Sequence, residues 1–127
     1  MEILLDTPVL IWWMLDSSGL SKHAADLLAD SDTRVFISAV VAWELSIKVN
    51  AGKIQPASLI TMLEDALTRQ AFLELPITLD HAVRASLLPL HDRDPFDRLL
   101  VAQAQSLKLP ILSSDRRLDE YDVRRVW

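Results

Sequence analysis

His91-Asp92-Arg93-Asp94-Pro95-Phe96-Asp97-Arg98-Leu99-Leu100-Val101-Ala102-Gln103 packs three aspartates into six residues and then turns apolar. Asp94-Pro95 reads as a helix start. Asp accepts from the orphan amides of the first turn, and the fixed φ of Pro suits the first helical position. Phe96, Leu99, Leu100 and Leu107 then fall at helical spacing, so one face of this helix is buried. Asp97 sits in the first turn, with Leu100 and Val101 at i+3 and i+4. A carboxylate there either serves the helix terminus, where an acid gains a few tenths up to roughly 1 kcal/mol, or points into a site. The choice rests on the rest of the chain.

The 127 residues are enough for one domain with a proper core, and half of them are hydrophobic, which argues against disorder. There is no cysteine, which excludes disulfides and thiolate metal sites and is compatible with the cytosol. Glu2 stands directly before an apolar strand pattern, with no signal-peptide pattern. The expected location is therefore the cytoplasm. The apolar run Val9 to Leu15 is far too short to span a membrane. The net charge of −5 is unlike that of a protein that relies on general attraction to phosphates. Either nucleic acid is not the substrate, or the negative charge is concentrated where cations neutralise it.

Taken in order, Glu2 to Leu5 reads as a short buried strand ending at Asp6. Thr7 and Pro8 look like an N-cap and first helical residue, so a helix follows to about Leu15. Ser17, Ser18 and Gly19 break it. Ser21 caps a second helix, Lys22 to about Asp30, and Val35 to Ile37 is a second strand. Residues 39 to 51 alternate like a strand from Trp43 to Asn50. Joined to the preceding strand, however, they would exceed the usual strand length. A Ser38 cap and Gly52 just past the end frame a helix instead. On that helix Glu44 projects from a largely apolar stripe. Pro56 and Ala57 open a helix to about Gln70, and Phe72 to Ile77 is a third strand. Thr78 caps a helix that Pro89 stops. After the aspartate-rich helix, Pro110 to Ser113 is a fourth strand ending near Asp115, and Val123 to Val126 is a candidate fifth. Strands alternating with helices predict an α/β fold with a largely parallel sheet.

In an open parallel sheet, ligands bind beyond the strand C-termini, at the switch in strand order. Asp6 and Asp115 each follow a strand. Helices start at the same edge, which adds Asp97 and, one turn further on, Glu44. Each acid also has a structural role open to it. Asp6 can cap the helix beginning at Pro8. Glu44 can pair with Lys48, worth about 0.3–0.5 kcal/mol on an exposed helix, and Asp115 can be a turn residue. Carboxylates gathered in a low-dielectric cleft raise one another's pKa unless a cation intervenes. Hard oxygen ligands with no His or Cys among them suit Mg²⁺ or Mn²⁺.

Asp6-Thr7, Glu44 within Trp-Glu-Leu, the run Asp94 to Ala104, and Ser113-Ser114-Asp115 resemble the acidic signature of PIN-domain nucleases, and in particular the VapC toxins of bacterial toxin–antitoxin pairs. The resemblance spans essentially the whole chain and implies a single PIN-like nuclease domain over residues 1–127, a three-layer α/β/α fold. It makes Asp6, Glu44, Asp97 and Asp115 the catalytic, metal-binding quartet, with Asp94, Ser113 and Thr7 as possible additional members. Ser113 stands where the family often has Thr and keeps the hydroxyl. The implied activity is Mg²⁺- or Mn²⁺-dependent cleavage of RNA by a metal-activated water, leaving 5′-phosphate and 3′-hydroxyl ends. The implied partners are an antitoxin protein that blocks the cleft and a second copy of the chain.

The three histidines form no recognisable acid–base pair. Arg93, Arg98, Arg116 and Arg117 lie close in sequence to the acids, where they either hold flanking phosphates or are solvated charges. Trp12, Trp13, Trp43 and Trp127 can stack bases, but their apolar surroundings favour core packing or a dimer surface. Two rival readings differ in class. An aspartyl-phosphate phosphotransfer enzyme needs a second Asp two residues after the first, where this chain has Pro8, or adjacent acids after its first strand. A non-catalytic interaction domain on the same fold has no need of all four acids.

Overall fold

Ile3, Leu4 and Leu5 are fully buried, as a near-continuous apolar strand must be when helices cover both faces of a parallel sheet. They form the central strand of the structure, a computed structural model that describes residues 1–127. Strand β1 (Glu2–Leu5) is followed by helices α1 (Thr7–Met14) and α2 (Lys22–Ala29), then by β2 (Arg34–Ser38). Helices α3 (Ala39–Asn50) and α4 (Leu59–Arg69) lead to β3 (Leu73–Leu75). Helices α5 (Leu79–Leu87) and α6 (Pro95–Leu107) lead to β4 (Ile111–Leu112), and a 3₁₀ turn over Arg116–Glu120 leads to β5 (Arg125–Val126).

All five strands are parallel, in the order β3-β2-β1-β4-β5. Leu4 pairs with Phe36 on one side and with Ile111 on the other. The chain winds outward from β1 to β3 and then returns to lay β4 against the free side of β1. Right-handed crossovers therefore place α1–α4 on one face and α5–α6 on the other, giving the α/β/α layers. The reversal puts the switch point between β1 and β4, so residues leaving those two strands flank one crevice.

Most local readings hold, and the exceptions have local causes. Helix α3 forms as framed: the Ser38 side chain accepts from the Val40 amide, and Gly52 follows the helix end at φ 72°. The N-cap of α1 is Asp6, whose side chain accepts from the Thr7 amide, so Thr7 is the first helical residue. Thr7 is displaced from the capping role because its hydroxyl has a distant partner in Glu44. Helix α4 starts at Leu59 rather than Pro56; Leu59 N–H closes a turn on the Pro56 carbonyl before the helix begins. Strand β3 stops at Leu75, since Pro76 has no N–H to extend the ladder. Gly19 is needed where the chain leaves α1: a Cβ there would lie 2.7 Å from the Trp12 ring.

Three of the four tryptophans are packed. Trp12 meets Trp127 at 5.8 Å between ring centroids, and Trp13 meets Phe72 at 4.7 Å. Trp43 alone is largely exposed, at 59%, with its edge against Phe96.

Candidate active site

Asp6 leaves the C-terminal end of β1 directly into α1, so its carboxylate stands at the switch point. One oxygen, Oδ1, accepts the Thr7 amide at 2.9 Å, and Oδ2 accepts the Ser113 hydroxyl at 2.6 Å. Ser113 leaves β4 on the other side of the same crevice, and its Oγ also accepts the Asp115 amide at 3.0 Å. The two strand ends are thereby tied together although they lie 107 positions apart in the chain. Asp6 does serve a helix terminus, but with only one of its two oxygens.

Glu44 enters from the second turn of α3 and is buried. Its Oε1 accepts the Thr7 hydroxyl at 2.7 Å, which orients it toward the crevice. Its Oε2 accepts from Lys48 Nζ at 2.5 Å. The two readings of Glu44 are therefore not exclusive: it is a crevice residue and the partner of Lys48. That partnership raises the pKa of Lys48, through the Glu44 hydrogen bond and against its partial burial, with Asp94 and Asp97 adding to the effect.

Helix α6 supplies the third wall. Asp94 caps it, accepting the Phe96 amide at 2.8 Å as the Asp-Pro pattern predicts. Asp92 accepts the Asp94 amide at 2.9 Å, and its own amide donates to the Tyr121 hydroxyl. Asp97, freed from capping, is half-buried, and its carboxyl is pushed up to about 8. Burial is the main cause, followed by a hydrogen bond with Asp92 and by the charges of Asp94 and Asp6. The Asp6 carboxyl is also raised, by burial first, with Glu44 and Asp115 adding to the effect and its hydrogen bonds opposing it.

Asp115 opens the 3₁₀ turn and is gripped by Arg117. The guanidinium Nη2 lies 2.8 Å from Oδ2, and Nε donates at 3.1 Å. This grip, outweighing burial, lowers the Asp115 carboxyl. The same Nη2 stands 4.0 Å from Asp97 Oδ2. Asp6, Glu44, Asp97 and Asp115 thus meet at one sheet edge, with Thr7 and Ser113 as the hydroxyls between them and Asp94 at the helix cap.

The donor set is one of hard carboxylate oxygens, and two of its members, Asp6 and Asp97, are raised by burial with neighbouring acids adding to it, so the chemistry fits a divalent cation. Glu44 pairs with Lys48 and Asp115 with Arg117, and no three acidic or histidine side chains stand close enough to hold a metal ion as arranged.

Several polar residues turn out to belong to the scaffold. Arg98 is buried, and it donates to the carbonyls of Ala85, Leu88, Pro89 and Asp92 at 2.8 to 3.2 Å. It is thus unable to hold a phosphate; it caps the C-terminus of α5 and pins the loop that carries Asp92. His81 closes a capping box with Thr78. His91 lies edge-on to Tyr121, with Nδ1 3.6 Å from Glu120. Sequence reasoning missed Lys48 and Asp92 as members of the crevice. The i+4 spacing from Glu44 and the Asp92-x-Asp94-x-x-Asp97 spacing were the available signals.

A family model described as PIN domain matches residues 3–124. No curated protein sequence matches the chain. Among solved structures, a toxin–antitoxin complex from Klebsiella pneumoniae has a TM-score of 0.71 at 19% identity, covering 98% of this chain and 96% of that one. VapBC2 from Rickettsia felis, bound to a DNA fragment from its promoter, has a TM-score of 0.70 at 13% identity, covering 99% and 98%. VapC20 from Mycobacterium tuberculosis, a toxin that cleaves the sarcin–ricin loop, has a TM-score of 0.67 at 17% identity, covering 96% and 98%. At these identities the likeness is one of fold. No helix is long and apolar enough to cross a membrane.

Proposed function

The chain belongs to the PIN-domain family, and from that premise we propose that it is a metal-dependent endoribonuclease, the toxin of a toxin–antitoxin pair. The observation that carries the reading is the meeting of Asp6, Glu44, Asp97 and Asp115, from four distant segments, at the β1/β4 switch point. The structures it resembles include toxin–antitoxin complexes and a toxin that cleaves the sarcin–ricin loop. An antitoxin that covers the acidic crevice with a basic side chain, and a second copy of the chain, are the partners this reading assigns.

Asp6, Glu44, Asp97 and Asp115 are the residues that would hold Mg²⁺ or Mn²⁺. A divalent cation there supplies positive charge for the phosphate and lowers the pKa of an attacking water. The chain does the positioning. Ser113 and the Thr7 amide fix both oxygens of Asp6, and the Thr7 hydroxyl fixes Glu44. Asp94 satisfies the α6 terminus, which leaves the Asp97 carboxylate for the crevice. Attack by water leaves 5′-phosphate and 3′-hydroxyl ends.

The test is cleavage of labelled single-stranded or loop RNA by the purified protein. Activity is expected with Mg²⁺ or Mn²⁺ and none in EDTA, with 5′-phosphate ends. Undiminished cleavage in EDTA, or 2′,3′-cyclic phosphate ends, overturns the metal-water mechanism.

A further inference from the structure

A nuclease of net charge −5 has to bring a polyanion against a crevice that holds Asp6, Glu44, Asp92, Asp94, Asp97 and Asp115. Fixed positive charge inside the crevice is needed to offset that repulsion. The arginines nearest the acids in sequence do not all qualify. Arg98 spends its guanidinium on four backbone carbonyls. Two other cations do reach in. Lys48 comes from α3, bonds Glu44 and lies within the fields of Asp94 and Asp97. Arg117 comes from the 3₁₀ turn, bonds Asp115 and lies within the fields of Asp92 and Asp97. Asp97 is shared: Arg117 Nη2 stands 4.0 Å from its Oδ2, and Lys48, on a different element, also feels its charge.

We infer that Lys48 and Arg117 are a two-sided clamp for the scissile RNA phosphodiester, an assignment that rests on the nuclease reading. Each keeps donors to spare. Lys48 has three N–H groups, one of them on Glu44, and its side chain is 40% exposed. Arg117 turns Nε and Nη2 to Asp115, which leaves Nη1 without a hydrogen bond, and its side chain is 68% exposed. Glu44 and Asp115 thus hold the two cationic heads in fixed positions at the crevice while donors remain for phosphate oxygens. Arg is suited to bidentate phosphate contact, and Lys is a compact point charge. An ordinary i,i+4 helix pair would account for Lys48–Glu44 alone. It would not account for a second cation, from a different element, beside the same carboxylate cluster.

The salt dependence of RNA binding separates the two roles. A cation that meets a phosphate releases counter-ions on binding, so its removal lowers the slope of log affinity against log salt by about 0.7 for a single strand. A cation that only orients Glu44 leaves the slope unchanged. The measurement uses a fluorescein-labelled single-stranded RNA, a non-cleaving Asp97→Asn background and micromolar Mn²⁺ over a series of KCl concentrations. Lys48→Met and Arg117→Gln are each expected to weaken binding about tenfold and to reduce the slope by about one contact. Lys48→Arg is expected to restore the slope. Weakened binding with an unchanged slope overturns the clamp and leaves an orienting role; unchanged binding overturns both. Cleavage by the wild type is run alongside. Cleavage with an unchanged variant slope defeats the clamp alone, whereas a wild type that neither binds nor cuts RNA defeats the nuclease reading and the clamp with it.

Discussion

Glu44→Gln is expected to reduce RNA cleavage about a thousandfold while leaving the fold intact. The amide keeps the volume and still accepts the Thr7 hydroxyl, so the buried contact at 2.7 Å survives. What is lost is one negative charge from the proposed metal-binding set. Metal charge stabilisation contributes several kcal/mol to such a transition state, and about 4 kcal/mol corresponds to a thousandfold in rate. Lys48→Met removes the partner at 2.5 Å without touching that carboxylate. Its effect is expected at about tenfold, mainly in KM, as for a group that binds the substrate. Single-turnover cleavage by both variants checks the ranking. Equal losses from the two would reduce Glu44 to the partner of Lys48.

Arg98→Met is expected to destabilise the protein by roughly 3 kcal/mol, the largest stability effect of any charged residue near the site. Four carbonyls, from Ala85, Leu88, Pro89 and Asp92, share this one guanidinium. Methionine fills the volume but offers no donor. The last turn of α5 then loses both its hydrogen bonds and the positive charge that complements its dipole. The loop from Pro89 to Asp92 loses its anchor, so activity should fall as well. A drop of roughly 10 °C in melting temperature is the corresponding thermal effect. A change below about 1 kcal/mol in urea unfolding would mean that water replaces the guanidinium freely and that the site loop has another anchor.

What was legible from the sequence was the part that local chemistry decides. Asp94-Pro95-Phe96 announced a capped helix, and the structure caps α6 with Asp94. Apolar runs separated by helical stretches announce a parallel sheet, and the strand-end acids Asp6 and Asp115 do stand at its C-terminal edge. Residues 39 to 50 form a helix although their alternation favours a strand, because Ser38 and Gly52 bound the segment. What was not legible depends on partners far away in sequence. Thr7 reads as a cap until Glu44, 37 residues on, takes its hydroxyl. Arg98 reads as a surface cation because nothing local shows four carbonyls converging on it. The Lys48 pairing was visible as a spacing, but its place inside the carboxylate cluster depends on how α3 packs beside α6.

The central claim is that Asp97 belongs to a cation site, and thermal melts of wild type and Asp97→Asn in EDTA and in saturating Mn²⁺ at pH 7 test it most directly. The Asp97 carboxyl rises from 3.8 to about 8 on folding. Its contribution to stability is therefore full below about pH 4 and is lost as pH rises through 8, so at pH 7 most of the loss has accrued. Asn resembles the protonated acid and is expected to be no less stable than wild type in EDTA. With Mn²⁺ at a hundred times its Kd, wild type should gain about 2.7 kcal/mol, and Asp97→Asn should lose most of that gain. A mutant destabilised in EDTA with an undiminished Mn²⁺ response would return Asp97 to its helix terminus and contradict the account.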